Sequence, residues 1–416
     1  MADLVAPFQG ERYAAVDRLS VLIAPPYDVI DPAERARYAA LDRDNIVHIM
    51  LPEAPPGGAD DDRYRVAAER LAAWRRDGVL KRDPQPALYV LAQDFTLPTG
   101  ERRTRRGLFA AVAAEGYEPR RIRPHERTHA GPKADRLALM RATATNIESI
   151  FLLAPDRDHA LANAVADATQ ATPDATAELN GVGIRLWIVR DPSRFPLPSS
   201  PLYIADGHHR YETASAYALE NPRSGPAGAA DRVLALIVSA QDPGLAILPT
   251  HRVIFGTGRE LERVLPLWRE WFDVQPVPAD RDPMTVLASL GKGRTACLVA
   301  DRSRVLALLL KSGALPDRLP SLAQSSAVRD LDVARVESLV VKAVLGAGTS
   351  TPIVRYVADA KEALGMVQHG GAAVAVLLNA TKVEQVFAVA DAGDVMPPKS
   401  TYFIPKVPSG LVLRPV

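Results

Sequence analysis

The residues best suited to chemistry lie together in the stretch ADGHHRYETA, residues 205–214. The apolar run at residues 202–205 predicts a strand, and the Ala-rich residues after Gly207 predict a helix. A helix that begins at such a turn directs unpaired N–H groups and the positive end of its dipole at the turn. Four polar residues surround the glycine: Asp206, His208, His209 and Arg210. The spacing indicates a phosphate site with a carboxylate and two imidazoles beside it; the alternative is an ordinary turn before a solvated helix start.

A second carboxylate of interest, Asp28, lies in the stretch APPYDV, residues 24–29. The two prolines force extended backbone, and residues 31–34, with the sequence DPAE, predict a helix that starts with a capping box. Asp28 is therefore expected on a loop after a predicted strand, residues 19–23, where functional carboxylates often lie. The alternative is an aspartate that only forms the turn.

A third polar group, RPHERTHAGPKADR, spans residues 123–136. Its first half matches the H-E-x-x-H pattern of zinc proteases, which places two imidazoles on one face of a continuous helix. Pro124 precedes the pattern, and Gly131-Pro132 interrupts the chain two residues after His129. A single helical turn is a poor zinc platform, so the protease interpretation is disfavoured. A charged helix start is the alternative explanation for the last four residues.

The C-terminal stretch DVMPPKSTYFIPKVPSGLV, residues 394–412, is rich in proline and is therefore expected to be extended and of low entropy. It carries four side chains of phosphate-binding type: Lys399, Ser400, Thr401 and Lys406. On composition alone it is either an arm that packs on its own domain or a dimer contact.

These stretches resemble known families. ADGHHRYETA resembles the glycine-acid/His-Arg-Arg box of the ParB/sulfiredoxin superfamily, whose turn and helix hold nucleotide phosphates. It is more similar to the DGHHR form of a bacterial and archaeal domain-of-unknown-function family, number 1015, and of the related free serine kinases. APPYDV and MPPKSTYFIPK also resemble that unknown-function family, so this resemblance runs through nearly the whole chain. The resemblance to the kinases covers little more than the box.

The resemblance implies a fold and a site. The implied fold class is mixed α/β, with a ParB/sulfiredoxin-like nucleotide-binding core over residues 1–256 and a smaller α/β domain over residues 257–416. The arm at residues 394–412 is inferred to return to the central box. In the third polar group the residues that match the family pattern are His125, Glu126, Thr128, Lys133, Asp135 and Arg136; His129 does not belong to that pattern.

The function that these resemblances imply is a small-molecule phosphotransferase that uses ATP or ADP with Mg²⁺, and serine is the preferred acceptor. The expected catalytic residues are Asp28, His125, Glu126 and His209. The expected phosphate-binding residues are Asp206, Gly207, His208, Arg210, Thr128, Lys133, Arg136, Lys399, Ser400, Thr401 and Lys406. Asp206 and Glu126 are the expected Mg²⁺ ligands. Two alternatives are a metal-dependent phosphohydrolase with Mn²⁺ or Zn²⁺, and a non-enzymatic ParB-type switch in which nucleotide closes a dimer.

Composition limits the other possibilities. The chain has 416 residues, 47% of them apolar and 24% charged, which suits two or three globular domains. Its net charge of +1 gives no reason to expect nucleic acid or a membrane as partner; a small molecule is expected, and a homodimer is left open. The single Cys297 fits a reducing cytoplasm, which is the expected location. No stretch reaches the ~18 consecutive apolar residues that a membrane helix needs.

The remaining elements are predicted from periodicity. Residues 45–51 are predicted as a strand and residues 60–77 as a helix. Residues 87–97 and 108–113 are predicted as the strands of a hairpin. The basic run ERRTRR, residues 101–106, lies between them without interleaved aromatic residues. A solvated strand edge is therefore expected there, and a nucleic-acid surface is not.

Overall fold

Two units make up the chain in the computed structural model, which describes residues 3–199, 201–222, 229–256, 261–313, 325–346 and 353–416. The first unit is formed by Met1–Leu245 with Pro405–Val416, and the second by Ala246–Ile404. The predicted domain boundary lies between residues 256 and 257, and residue 257 falls outside the described residues. Helices and strands occur in both units, so the predicted mixed α/β class is confirmed.

The described strands and helices follow one another through both units. The strands are β1 (Val5–Ala6), β2 (Glu11–Tyr13), β3 (Leu80–Arg82), β4 (Leu88–Thr96), β5 (Arg102–Ala113), β6 (Ile122–Arg123), β7 (Thr145–Asn146), β8 (Ile150–Ala154), β9 (Ala175–Leu179), β10 (Val182–Val189), β11 (Leu202–Asp206), β12 (Arg232–Ser239), β13 (Ala246–Leu248), β14 (His251–Phe255), β15 (Phe272–Pro276), β16 (Ala296–Ala300), β17 (Val305–Leu310), β18 (Ile353–Val357), β19 (Val374–Leu378), β20 (Tyr402–Ile404) and β21 (Arg414–Pro415). The helices are α1 (Leu19–Leu22), α2 (Pro32–Leu41), α3 (Val47–Met50), α4 (Asp62–Arg76), α5 (Ala130–Thr143), α6 (Ala160–Ala168), α7 (His208–Glu220), α8 (Leu261–Trp271), α9 (Pro283–Leu290), α10 (Ser326–Arg329), α11 (Asp332–Val336), α12 (Lys342–Leu345), α13 (Ala360–Gln368) and α14 (Val383–Asp391). In this part of the chain, none of the helices has the length and apolar character needed to cross a membrane.

The main sheet of the first unit has the strand order β6-β11-β8-β12-β5-β4-β10-β9, with β1 also paired to β5. The β6–β11 and β8–β12 pairs are parallel, and the other neighbours are antiparallel. Strand β11 therefore lies between β6 and β8, and its carboxyl end carries the central polar box. The predicted hairpin of residues 87–97 and 108–113 is confirmed as β4 and β5, but β5 already begins at Arg102, so the basic run lies within this strand and not between the two strands.

Both faces of the sheet are covered along β4, where residues 88–93 are all buried although successive side chains point to opposite faces. One face carries Leu88, Val90 and Ala92 of β4 and packs in a core with residues of α5, α6 and α7. The intervening residues of β4 point to the opposite face, where Tyr89 and Gln93 are also buried. The site residues on α7 are therefore fixed to the sheet by a continuous apolar core.

The second unit is built on its own sheet, with the order β15-β17-β16-β19-β14-β18 and antiparallel pairing throughout these strands. Its core includes Leu298, Leu309 and Leu377 from the sheet and Leu287 and Val367 from α9 and α13. Strands β13 and β20 pair separately in the same unit.

Two predicted strands are wrong. Residues 19–23 contain helix α1, and residues 45–51 contain helix α3. Asn45 explains the arrangement, because its Nδ2 donates to the carbonyl of Val21 at 2.7 Å and its Oδ1 accepts from the N–H of Val47 at 2.9 Å. One buried amide thus stabilises the start of α3 and ties it to α1. A short apolar run alone does not distinguish a buried strand from a buried helix.

Candidate functional site

The centre of the site is the turn between β11 and α7. Gly207 adopts a left-handed conformation with φ +89° and ψ +31°, and α7 begins at the next residue, as predicted. A Cβ atom at this position would lie 3.0 Å from Nε and 3.1 Å from Cζ of Arg210. The guanidinium therefore folds back over the turn, and glycine is required both by the backbone angle and by this close approach.

Asp206 is held between two cations. Its Oδ2 accepts a hydrogen bond from Nη2 of Arg210 at 3.1 Å, and its Oδ1 lies 3.4 Å from Nζ of Lys406. Burial acts to raise the pKa of Asp206, but Lys406 and Arg210 outweigh it, so the pKa lies well below its usual range. The carboxylate is therefore ionised at neutral pH, and it fixes the positions of both cations.

Arg210 also connects the box to Asp28. It is 9% exposed and donates to the carbonyl of Ser149. Burial acts to lower its pKa, but the charges of Asp206, Glu148 and Asp28 raise it above its ordinary value. Asp28 itself is exposed on a short helical turn, Tyr27–Val29. Its charge also acts on His209, so the turn and the box face each other.

Glu148 is a site residue that the sequence did not reveal. The side chain of Glu148 is 6% exposed, and its carboxylate accepts from the N–H of Tyr27 at 2.9 Å, while Nη1 of Arg136 lies 3.5 Å away. Burial raises its pKa, and Arg210 and Arg136 oppose that shift. Glu148 thus fixes the backbone before Asp28. The residue lies in an unremarkable stretch, NIES, that gave no signal of this role.

The imidazoles of two segments pair at the start of α7. The N–H of His125 donates to Nε2 of His208 at 3.3 Å, and their ring centroids are 4.7 Å apart. The N–H of His129 donates to Nε2 of His209 at 2.8 Å. Residues 124–129 form no helix, because α5 begins only at Ala130, so the H-E-x-x-H pattern lacks the platform of a zinc protease. Across the described ranges, no group of three or more His, Cys, Asp or Glu side chains is arranged to hold a metal.

Glu212 is a second residue that the sequence did not reveal, although it lies within the box. Its Oε2 accepts from the hydroxyl of Thr128 at 2.7 Å and from Nζ of Lys133 at 2.8 Å. The predicted phosphate-binding residues Thr128 and Lys133 are therefore brought to α7 by a carboxylate. Lys133 keeps 37% of its side chain exposed and remains accessible to a ligand.

The other predicted residues of the third polar group lie farther into the fold. Arg136 is 6% exposed, donates to the carbonyl of Met50 at 2.7 Å and lies 4.4 Å from the centroid of the Tyr27 ring. Asp135 accepts from Arg136 and from the hydroxyl of Tyr64 at 2.8 Å. Arg136 thus packs against Tyr27, in the turn that carries Asp28. Glu126 follows His125 in the same loop and is partly exposed.

The C-terminal stretch is divided between the units. Lys406 belongs to the first unit and reaches Asp206, whereas Lys399, Ser400 and Thr401 belong to the second unit. Lys399 is exposed, and the hydroxyl of Ser400 donates to the carbonyl of Pro397 at 2.6 Å, which closes a turn. The phosphate-binding roles of these three residues stay predictions.

The buried imidazoles predict a loss of stability in acid. Burial lowers the pKa of His125 to about 4 and that of His208 well below its ordinary value. An unfolded histidine binds a proton near pH 6.5, so this contribution to stability is full above that pH and is lost as the pH falls toward 4. We expect the free energy of unfolding to fall by about 1.4 kcal/mol per pH unit for each histidine.

Chemical denaturation at pH 7, 6 and 5 measures this slope. A His208→Gln variant keeps an acceptor for the N–H of His125 but does not titrate, so its slope should be smaller by about one proton. The exposed His369 in the second unit gives the control, and His369→Gln should retain the full slope. Equal slopes for His208→Gln and the unmodified chain would contradict the assignment.

Comparisons with known proteins identify a family and several similar solved structures. The family model described as "Protein of unknown function (DUF1015)" matches residues 5–334. No curated protein matches the chain. Matches among solved structures include a conserved hypothetical protein from Pyrococcus furiosus, with 13% identity, a TM-score of 0.38 and coverage of 73% of this chain and 93% of that chain. A free serine kinase in complex with AMP has 13% identity and a TM-score of 0.38, with 72% and 87% covered. SbnI with a C-terminal truncation, from Staphylococcus aureus, has 13% identity and a TM-score of 0.37, with 71% and 82% covered.

The family match extends over most of the chain and includes both the Asp28 turn and the central box. It confirms the resemblance inferred from APPYDV and DGHHR, while the likeness of the core to the ParB/sulfiredoxin superfamily stays a prediction. The chain belongs to the DUF1015 family of proteins of unknown function.

Proposed function

We propose that this protein is a small-molecule phosphotransferase that uses ATP or ADP. The observation that supports this most is the gathering of charged groups from distant segments at the N-terminus of α7. Asp28, Glu148, Asp206, Arg210 and Lys406 all lie within electrostatic reach of that turn. A helix N-terminus flanked by cations favours a bound polyphosphate.

The phosphates would bind at the first turn of α7, where free N–H groups point out of the helix. Arg210 and Lys406 supply positive charge on either side of Asp206, and Lys133 supplies a third, more accessible cation. Asp206 orients the first two cations before the nucleotide arrives. Catalysis of this kind depends on positioning and electrostatic stabilisation of the transferred group.

Mg²⁺ is proposed to enter with the nucleotide phosphates. Both carboxylate oxygens of Asp206 face cations, which suits an orienting role better than direct contact with a metal. The proposed mechanism therefore needs no metal bound by the protein alone. The roles of Asp206 and Glu126 as Mg²⁺ ligands stay predictions. Protein sites for Mg²⁺ usually combine one or two carboxylates with substrate phosphates.

Asp28 is the proposed base for the acceptor hydroxyl. It is the exposed carboxylate of the cluster, and its charge acts on both Arg210 and His209, so it faces the phosphate site. A positioned carboxylate that accepts the hydroxyl proton is the usual device in phosphoryl transfer to alcohols. Serine is the acceptor that the sequence resemblance indicates.

Binding and turnover test this function separately. Calorimetric titration with ATP, ADP, CTP and GTP, with and without Mg²⁺, measures nucleotide affinity, and ³¹P NMR follows transfer from ATP or ADP to L-serine and other small alcohols. Transfer that requires both nucleotide and acceptor supports the proposal. Phosphate release from a phosphomonoester without nucleotide would instead indicate a phosphohydrolase, and nucleotide-dependent dimerisation without turnover would indicate a switch.

A glycine pair gives a sharper test of the nucleotide site. Gly207→Ala introduces a Cβ within 3.1 Å of the Arg210 guanidinium, whereas Gly100→Ala has a similar φ of +87° and no atom within 4 Å. Gly100→Ala should lose about 1–2 kcal/mol of stability through backbone strain, and Gly207→Ala at least as much. Only Gly207→Ala is expected to weaken nucleotide binding, by at least about tenfold. Calorimetric titration of both variants measures the difference. Equal nucleotide affinities of the two variants would show that the Gly207 turn is not part of the nucleotide site.

A further inference from the structure

Arg105 lies in the basic run that the sequence predicts to be a solvated edge, yet it is 1% exposed. The reason is register. Arg105 pairs directly opposite Gln93, on the buried face of the β4–β5 hairpin that points away from α5, α6 and α7, whereas Arg102 at the strand end is exposed. A charged side chain in such a position requires a physical explanation, because isolated buried charges are costly.

Phe151 and Gln93 connect the side chain of Arg105 to the candidate site. Its guanidinium lies 4.6 Å from the centroid of the Phe151 ring on β8, and Phe151 pairs with Asp206 in the β8–β11 register. Nη2 of Arg105 donates to Oε1 of Gln93, and Nε2 of Gln93 donates to the carbonyl of Lys406 at 3.0 Å. The amide of Gln93 therefore links Arg105 to the backbone of Lys406, whose Nζ faces Asp206.

The guanidinium has unused donors. Nε and Nη1 of Arg105 are buried and have no hydrogen-bond partner among the described residues. Burial lowers the pKa of Arg105 to about 9, and the charges of Asp242 and Asp206 only partly oppose this. Asp242 is already engaged, because it accepts from the N–H groups of Arg106 and Gly244. A guanidinium with two free donors is the protein group best matched to a carboxylate or phosphate.

We propose that Arg105 binds an anionic group, a carboxylate or a phosphate, on the acceptor of the phosphoryl transfer. The proposal rests on the function proposed above and specifies the substrate class of that same site. The side chains of Lys406 and Asp206 are 17% and 20% exposed, and the proposal places the entry of the anion beside them. Arg105 would then bind the charged end of the acceptor, while the hydroxyl group of the acceptor faces the bound nucleotide.

Two pairs of acceptors test the proposal. L-serine is compared with ethanolamine, which lacks the carboxylate, and glycerol 3-phosphate is compared with glycerol. The unmodified chain should prefer one anionic member by about 100-fold in kcat/KM, and the pair that shows this preference identifies the anion. In Arg105→Met the preference should disappear through a raised KM, while kcat and the nucleotide Kd stay within about threefold. A preference that survives, or a loss of nucleotide affinity in its place, overturns the proposal.

A control variant shows whether the loss of preference comes from misfolding. A second measurement tests the anion site even if the proposed phosphoryl transfer is not observed. Arg103→Met, two residues away on the same strand and paired with Glu101 at 2.8 Å, should leave the preference unchanged. Arg105→Lys keeps the charge without the paired donors and should show an intermediate loss. If no transfer occurs at all, thermal shifts with the same four compounds still decide. Stabilisation by an anionic member that is lost in Arg105→Met supports the site, and no stabilisation of the unmodified chain refutes it.

Discussion

Replacing Arg210 by alanine is expected to lower the free energy of unfolding by about 3–5 kcal/mol, because it removes one partner of a buried charge network. Asp206 would lose a hydrogen-bond donor at 3.1 Å, the carbonyl of Ser149 would lose another, and Glu148 would lose a nearby cation. Urea denaturation at pH 7 measures the change. The same variant should bind nucleotide at least about 100-fold more weakly, since the phosphate site loses its most buried cation.

The Arg141–Glu220 pair supplies a matched control. It is likewise an arginine–carboxylate pair of α7, joining this helix to α5 at 2.5 Å, but the two side chains are 55% and 40% exposed. An exposed pair contributes little to stability, so Arg141→Ala should cause only a small part of the Arg210→Ala loss. Similar losses for the two variants would show that burial does not give Arg210 its importance.

The central turn could be predicted from the sequence because its determinants are local. An apolar strand, one glycine and an Ala-rich helix follow each other within residues 202–220, and the structure has β11, Gly207 and α7 in that order. The capping box at the start of α2 is confirmed for the same reason, since Asp31 and Glu34 bond each other across three residues. Features set by neighbours in sequence need no knowledge of the fold.

The rest of the site depends on contacts between distant segments. Glu148 becomes important only because the fold brings the N–H of Tyr27 and the cations of α5 and α7 to it. Arg105 is buried because strand register places it beside Gln93, on the sheet face that points away from α7. Neither residue type nor spacing distinguishes these side chains from ordinary surface charges. The sequence does not predict helices α1 and α3 for a related reason, because the buried amide of Asn45 joins them across more than 20 residues.

If Asp28 is the base for the acceptor, Asp28→Asn should lower kcat by about 10²–10⁴-fold. The substitution keeps the size of the side chain and removes the proton acceptor. Nucleotide affinity should change by no more than about threefold, because Asp28 acts on Arg210 only through its charge and the direct partners of Arg210 remain. Steady-state kinetics with saturating nucleotide, together with calorimetric titration, measure the two quantities independently.

Asp31→Asn is the matched control for this substitution. Asp31 lies three residues away and accepts from the N–H of Glu34 at 2.8 Å as the N-cap of α2. Asparagine is an equally good N-cap, so both folding and kcat should be preserved. Glu126→Gln tests the competing candidate, since Glu126 is the other carboxylate among the expected catalytic residues. A large loss of kcat in Glu126→Gln with nearly normal turnover in Asp28→Asn would show that Glu126 is the base. The acceptor hydroxyl would then have to bind beside the loop before α5 and not beside the Asp28 turn.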